Sequence, residues 1–221
     1  MRVFRCYGDK SAIERRLKEV KRGISAMIVN NCMDNGVYLE NIDDSDYYDI
    51  LEELDDIIYN DTDVSLEETF VSFLNNNDLT VAVAESCTGG MLSASLVSVS
   101  GVSKVFYEGV VTYSNQSKID RLGVSYDSLE EYGAVSEQVA KEMAFGLIDN
   151  EIDIAISTTG IAGPDGGTMQ KPVGLVYIGI ASTRCEPFAI KTMFSGTREQ
   201  IRRSAKNASL FYALQFLREN Y

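Results

Sequence analysis

One stretch constrains the fold more than any other: an apolar run that enters a glycine-containing turn and continues into a second apolar segment. Residues 80–84 are short, uninterrupted and partly β-branched, which predicts a buried strand. The turn Glu85-Ser86-Cys87-Thr88-Gly89-Gly90 follows, and residues 91–98 are apolar at helical spacing. The sequence therefore predicts a strand, a tight turn and the start of a helix.

This turn combines several groups that could act on a ligand. Its glycines allow the backbone to approach a ligand closely, and the free N–H groups at a helix start favour an anion. Ser86 adds a hydroxyl and Cys87 adds a thiol. A plain N-cap with permissive glycines explains the same pattern, so the turn alone leaves both interpretations open.

Length and cysteine usage narrow the class of protein. A chain of 221 residues suits one large domain or two small ones. It contains no run of 18 apolar residues and no apolar secretory segment at its start, so we expect a cytoplasmic protein without a membrane partner. The four scattered cysteines include no C-x-x-C pair, which argues against a zinc ribbon or a disulfide scaffold. Cys185, between two late strands, is expected to be structural.

The absence of histidine limits the chemistry. It excludes Ser-His-Asp and Cys-His machinery and most zinc sites. With no histidine present, a nucleophile in this chain must be activated by lysine, tyrosine or a carboxylate. No metal and no cofactor are expected.

Charge is unevenly distributed. The net charge of −13 disfavours nucleic acid as a partner. Residues 2–22 are basic, residues 23–103 contain no lysine or arginine, and residues 34–68 are densely acidic. The acidic run is interpreted as a solvated face.

Residues 1–62 predict a small α+β domain. Ser11 is the expected N-cap of its first helix, with Glu14 completing a capping box. Asn35-Gly36 is a hairpin-type turn signal. The polar stretch 60–63 marks the expected domain boundary. The predicted elements are strand 2–7, helix 11–20, strands 24–29 and 37–42, and helix 48–59.

Residues 63–221 predict a second, layered α/β domain, because strands and helices mix with few hairpin turns. Ser65 is the expected cap of the first helix, again with Glu68 at the third position. The further predicted strands are 105–113, 152–158, 173–181 and 187–193, and the further helices are 114–122, 125–132, 136–149 and 197–220.

Polar groups follow three strands of this domain, in the Ser86 turn, in residues 110–118 and in residues 160–167. Functional sites in α/β domains collect at such strand ends. If they converge, Ser86 is the nucleophile and Lys118 its base. An ordinary lysine, with a pKa near 10.4, is protonated at neutral pH, so Lys118 would have to be desolvated or placed near another cation. Tyr113 is a candidate relay or orienting group. The backbone amides of Thr88, Gly89 and Gly90 would bind an oxyanion.

Simpler interpretations stand beside these roles. Lys118 could be a surface lysine on a short helix, and Tyr113 a half-buried strand residue. Cys87 is a rival nucleophile, because a thiolate at a helix N-terminus is activated, but it ranks below Ser86 without a histidine partner.

Residues 159–168 form a second unusual loop, the glycine loop. It matches neither of the common phosphate-binding motifs, G-x-x-x-x-G-K-[ST] and G-x-G-x-x-G. It suits close approach to a ligand, although a flexible hairpin loop is the alternative. Arg198, at the start of the last helix, is a candidate phosphate clamp. The loop candidates for substrate binding are Thr159, Gly160, Gly163, Asp165, Gly166 and Gly167.

Several long motifs occur in a characteristic order. They are AESCTGG at 84–90, GVVTYSN at 109–115 with Lys118, GAVS at 133–136, and TGIAGPDGGT at 159–168 followed by KPVG at 171–174. Together they resemble the C-terminal domain of the CinA (competence/damage-inducible protein A) family, over about residues 65–220.

The resemblance implies an activity. Members of this domain family are amidohydrolases that convert nicotinamide mononucleotide (NMN) to nicotinic acid mononucleotide and ammonia in pyridine nucleotide recycling. It implies a metal-free serine–lysine mechanism in which Ser86 is the nucleophile and Lys118 its partner, with Tyr113 nearby. It also implies a homo-oligomer. A nucleotide-binding or regulatory module without turnover, and an enzyme for a different carboxamide, are the alternatives.

Residues 2–59 resemble the small KH-like domain that precedes this domain in the family. They contain no G-x-x-G loop and are acidic, so RNA binding is not expected. The family's larger domain, similar to molybdopterin-binding proteins and linked to ADP-ribose hydrolysis, is not among these residues, and that activity is not expected of them.

Overall fold

The computed structural model covers every residue, Met1–Tyr221, and the chain divides into two compact units. The first unit is Met1–Thr69 and the second is Phe70–Tyr221. Their division falls within helix α3 (Leu66–Asn76), later than the expected boundary at residue 62. The helix starts as predicted. The Glu68 amide donates to the Ser65 hydroxyl, and the Ser65 amide donates to the Glu68 carboxylate. These are the two hydrogen bonds of a capping box.

The first unit is an antiparallel sheet with two helices packed on one face. Its strands lie in the order β2-β3-β1-β4. Phe4 and Cys6 of the sheet and Ile13 and Ile50 of the helices are buried in one core. The elements are β1 (Arg2–Tyr7), α1 (Lys10–Val20), β2 (Ser25–Asn31), β3 (Asp34–Glu40), α2 (Asp44–Glu53) and β4 (Ile58–Asn60).

Helix α1 begins one residue before the expected cap. Asp9 is the N-cap, and its side chain accepts a hydrogen bond from the Ala12 amide at 3.1 Å. The prediction of Ser11 as the cap is therefore wrong. Asp and Ser cap equally well, so local chemistry did not decide between them.

The β2–β3 turn differs from the predicted one. Cys32 and Met33 form it, with φ of 52° and 74°, as the two central residues of a type I′ turn require. Asn35-Gly36, the expected turn, lies inside β3. The Asn35 side chain is buried and donates to the carbonyls of Gly8 and Met33, so tertiary hydrogen bonds override the local turn signal.

Helix α2 is also displaced from its predicted range, 48–59. Asp43 caps it, and the chain after Glu53 turns and enters β4, which pairs with β1. Strand pairing with β1 thus competes with continuation of the helix.

One residue of the acidic run is not on a solvated face. Asp34 is buried, and both its carboxylate oxygens accept from Arg5 Nη2, at 3.1 and 3.0 Å. The Tyr59 hydroxyl donates to the same carboxylate at 2.5 Å. These bonds satisfy a charge that burial would otherwise penalise.

The second unit is a layered α/β domain, as predicted. Its sheet has the order β6-β5-β7-β8-β9, in which β6, β5 and β7 are parallel and β7, β8 and β9 are antiparallel. The elements after α3 are β5 (Val81–Glu85), α4 (Met91–Val97), β6 (Phe106–Val111), α5 (Asn115–Leu122), α6 (Tyr126–Tyr132), α7 (Glu137–Phe145), β7 (Ile154–Gly160), β8 (Leu175–Ser182), β9 (Cys185–Met193) and α8 (Arg198–Asn220). The predicted strands and helices of this domain are confirmed, with ends displaced by a few residues.

Helices cover both faces of this sheet. Ala82 and Ala84 of β5 pack in a core with α5, α6 and α7. Val81 and Val83 alternate with them and face the side on which α4 and α8 pack. All of β5 is buried, which explains its continuous apolar sequence. No helix in the chain, α8 included, has the combination of length and apolar character needed to cross a bilayer.

We predict that Asp9→Ala weakens the first turn of α1 by about 1 kcal/mol, because the Ala12 amide loses its acceptor. Hydrogen exchange of the α1 amides measures the change. Ser11→Ala is the matched control and should shift the same amides by less than about 0.5 kcal/mol. A larger effect of Ser11→Ala than of Asp9→Ala would contradict the assignment of the cap.

Candidate active site

Strand register brings three predicted segments to one edge of the sheet. Glu85 at the end of β5 pairs with Val111 of β6 and Thr158 of β7. The Ser86 amide donates to the Thr158 carbonyl, and the Thr112 amide to the Glu85 carbonyl, both at 2.9 Å. Because the three strands are parallel, the segments that follow them emerge together.

A cavity of about 240 Å³ opens at this edge. It contains the predicted nucleophile, the predicted lysine and four more of the predicted site residues. The lining residues are Ser86, Cys87, Tyr113, Lys118, Ala134, Val135, Thr159, Gly160, Ala162 and Arg198.

Lys118 is buried, with 1% of its surface exposed, so the surface-lysine alternative is wrong. Ser114 caps α5 and orients the first turn of the helix, which carries Lys118 back beneath the end of β6. The Lys118 Nζ lies 3.1 Å from the Ser86 Oγ. It lies 2.8 Å from the Thr112 carbonyl oxygen and 3.2 Å from that of Tyr113.

This environment favours the neutral form of the Lys118 amine. Burial lowers the pKa of Lys118 to about 8, because desolvation penalises the ammonium. Lys118 forms no salt bridge that would restore its charge. A neutral amine has two N–H groups and one lone pair. When the two carbonyls accept the N–H groups, the lone pair is left for the Ser86 hydroxyl.

Glu85 binds the start of α4. Its buried carboxylate accepts from the amides of Gly90, Leu92 and Ser93, at 2.9, 3.0 and 2.7 Å, and from the Ser93 hydroxyl at 2.6 Å. The positive end of the helix is thus compensated inside the protein. The Gly90 amide, expected to face an oxyanion, is already bound.

Two other amides of the turn are unbound. Those of Thr88 and Gly89 donate to no acceptor in the chain. The Thr88 hydroxyl is bonded to that of Thr158 at 2.7 Å and faces the interior. Any oxyanion contact from this turn must therefore come from backbone N–H groups before Gly90.

The rival nucleophile is unsuited to the role. Burial raises the pKa of the Cys87 thiol to about 11, so it is a thiol at neutral pH. Its position at a helix start does not activate it, because Glu85 already occupies the helix amides.

Tyr113 contacts the site through its backbone as well as its ring. Its carbonyl oxygen binds Lys118, while its side chain is 64% exposed and its hydroxyl lies 3.5 Å from the Arg198 Nη2. The half-buried alternative for Tyr113 does not describe this position. The hydroxyl faces the arginine at the mouth of the cavity.

The glycine loop is only partly at the cavity. Arg198 Nη1 donates to the Gly163 carbonyl at 2.7 Å, and the Thr159 hydroxyl donates to the Ala134 carbonyl at 2.7 Å. Thr159 and Gly160 line the cavity. The exposed residues Asp165, Gly166 and Gly167 do not.

Sequence reasoning missed one arginine at the turn. Arg202 Nε donates to the Cys87 carbonyl at 3.2 Å, and Nη2 donates to the Thr88 carbonyl at 2.5 Å. Its spacing from Arg198 was the available signal, because side chains four apart share one face of a helix.

Comparisons with known proteins identify the family of the second unit. The model of the CinA C-terminal domain matches residues 63–220. The chain belongs to the CinA family. A protein named as competence-damage inducible in Clostridium kluyveri is 51% identical over 149 residues, which are 67% of this chain and 36% of that protein. A protein of the same name in Clostridium botulinum (strain Okra) is 49% identical over 168 residues, 76% of this chain and 40% of the relative. The chain thus spans well under half the length of these curated relatives.

Solved structures of the CinA superfamily share the fold. The competence/damage inducible protein CihA from Agrobacterium tumefaciens has a TM-score of 0.66 and 35% identity, over 69% of this chain and 93% of its own. A CinA superfamily protein from Escherichia coli has a TM-score of 0.64 and 35% identity, over 69% of this chain and 87% of its own.

The lowered pKa of Lys118 predicts a pH dependence for this CinA domain. Only the neutral amine can accept the Ser86 proton, so the rate at which a fluorophosphonate labels Ser86 should rise about tenfold per pH unit below pH 8 and level off above it. Mass spectrometry of the Ser86 peptide measures the rate. Lys118→Met should label slowly and without this inflection. A flat profile between about pH 6 and 9 in the wild type would count against Lys118 as the base.

Proposed function

We propose that the CinA domain of this chain hydrolyses the carboxamide of NMN to give nicotinic acid mononucleotide and ammonia. The observation that carries the proposal is the contact of 3.1 Å between the Ser86 hydroxyl and a buried lysine whose pKa is about 8. A serine beside a neutral amine is an arrangement for acyl transfer without histidine. The family resemblance supplies the substrate.

The first half of the reaction forms an acyl-enzyme. Neutral Lys118 accepts the Ser86 proton as Oγ attacks the carboxamide carbon. The carbonyl oxygen becomes an oxyanion, for which the unbound amides of the turn are the available donors. The Lys118 ammonium then gives its proton to the leaving nitrogen, the C–N bond breaks, and ammonia departs.

The second half reverses the proton path. Water attacks the ester of Ser86 while Lys118 accepts a proton from it. The tetrahedral intermediate collapses, the Ser86 oxygen takes the proton back, and nicotinic acid mononucleotide leaves. The carbonyls of Thr112 and Tyr113 hold the nitrogen in place through both protonation states, since each accepts one N–H.

The mononucleotide needs a site for its phosphate. We assign this role to Arg198, which lines the cavity and already donates to the Gly163 carbonyl. A guanidinium with further free N–H groups suits a phosphate. Thr159 and Gly160 line the same cavity. In this proposal the exposed Asp165 is a loop residue.

The decisive measurement is ammonia release from NMN by the purified chain. Ser86→Ala and Lys118→Met should each lower kcat by more than about 1,000-fold, because nucleophile and base act as one unit. Cys87→Ala should retain kcat within a few-fold, since the thiol takes no part. Lys104→Met, a change of the same type outside the cavity, is the matched control.

The outcomes separate the alternatives. Retention of more than about a tenth of the activity in Ser86→Ala would rule out the assigned nucleophile. Thermal stabilisation by NMN without ammonia would instead indicate a binding or regulatory module. Activity on other carboxamides and none on NMN would indicate a different amide substrate.

Three further proposals concern the whole chain. We propose that residues 1–62 form a KH-like domain, supported by the antiparallel sheet with α1 and α2 on one face. We propose a homo-oligomer, which light scattering tests. We propose a cytoplasmic location, because four cysteines that form no disulfide suit a reducing compartment.

A further inference from the structure

Arg202 donates two hydrogen bonds to the turn that follows Ser86. Its guanidinium donates to two consecutive carbonyls, those of Cys87 and Thr88. The side chain forms no salt bridge with a carboxylate. Arg202 lies near the start of α8, where Thr197 and Gln200 form a complete capping box.

These two carbonyls control two amides. The Cys87 carbonyl and the Thr88 N–H belong to one planar peptide unit, and the Thr88 carbonyl and the Gly89 N–H belong to the next. Both units are trans, so carbonyl and N–H point in opposite directions. A guanidinium that binds both carbonyls therefore turns both N–H groups away from itself.

The N–H groups so oriented are the unbound ones. The amides of Thr88 and Gly89 donate to nothing in the chain, whereas Glu85 takes the Gly90 amide directly after them. Glu85 thus accepts hydrogen bonds from N–H groups at the end of the turn, and Arg202 donates hydrogen bonds to carbonyls within it. Two adjacent donors remain two and three residues after Ser86.

We infer that Arg202 is a positioning residue that sets the Thr88 and Gly89 amides as the oxyanion-binding pair of this site. The inference rests on the proposed acyl transfer at Ser86. Donation to the carbonyls also polarises both peptide units, which strengthens their N–H groups as donors. The positive charge of Arg202 further favours negative charge developing beside the turn.

The next residue supplies a matched control. Arg203 has the same charge and side chain, but it pairs only with Glu199 on its own helix, at 2.8 Å. Arg202→Met keeps the length of the side chain and removes the donors. Arg202→Lys restores a charge and a donor without the planar fork.

Two assays separate the role of Arg202 from the identity of the substrate. The first is ammonia release from NMN, with kcat and KM determined separately. The second is labelling of Ser86 by a fluorophosphonate, in which Oγ bonds to phosphorus, fluoride leaves and Lys118 takes the hydroxyl proton. The labelling also develops charge on a phosphoryl oxygen, so it reports on the oxyanion site even if NMN is not the substrate.

Arg202→Met should lower both kcat and the labelling rate by about 10- to 100-fold, with KM changed less than about threefold. Arg202→Lys should recover part of the loss, and Arg203→Met should match the wild type. Thermal unfolding of each variant shows that the chain is folded.

Several results would overturn the inference. One is a labelling rate in Arg202→Met within about threefold of the wild type. Another is a rise in KM without a fall in kcat, which would place Arg202 in substrate binding. A third is an unreactive Ser86 in the wild type, which would mean that no oxyanion is stabilised there. Labelling that depends on Arg202 in a protein that releases no ammonia from NMN would refute only the proposed substrate.

Discussion

The burial of one amine organises the second unit. Lys118 is removed from water, and a buried amine is costly unless it has hydrogen-bond partners. The end of β6 provides them, because Thr112 and Tyr113 leave the sheet with two free carbonyls beside Ser86. The helix cap at Ser114 then returns the chain by one turn, the spacing that carries a lysine to those carbonyls. Burial lowers the pKa of Lys118, and a lowered pKa is what the proposed base requires.

The turn next to this lysine shows how a protein distributes backbone donors and acceptors. A helix start offers several unbonded N–H groups, and any acid nearby competes for them. Glu85 takes those of Gly90, Leu92 and Ser93, which stabilises α4 and removes its attraction for an outside anion. The donors left for a ligand lie earlier in the turn. Arg202 binds the carbonyls of the same peptides, so an acidic and a basic side chain together decide which N–H groups are free.

Much of the fold was predictable because each element has a local signal. The buried run before Ser86 became β5, and Ser65 and Glu68 formed the capping box that they predict. Predictions failed where two local solutions were equally good. Asp9 and Ser11 can both cap a helix, and in the structure Asp9 does so.

Other failures came from long-range bonds. Asn35 appears in a turn dipeptide, yet its side chain serves three backbone carbonyls of the first unit. The Cys6 and Gly8 carbonyls are distant from Asn35 in the sequence, so no local pattern predicts these hydrogen bonds.

The sequence by itself determined the chemical repertoire: a serine, a lysine and glycine-rich strand ends, with no histidine to assist them. Periodicity and caps also determined the order of strands and helices. Only the tertiary structure decided that Ser86 and Lys118 lie 3.1 Å apart, that the lysine is dry, and that Arg202 reaches the same turn. The physical reason is that pKa and donor availability depend on burial and on partners brought together by parallel strand register, neither of which any single stretch of sequence contains.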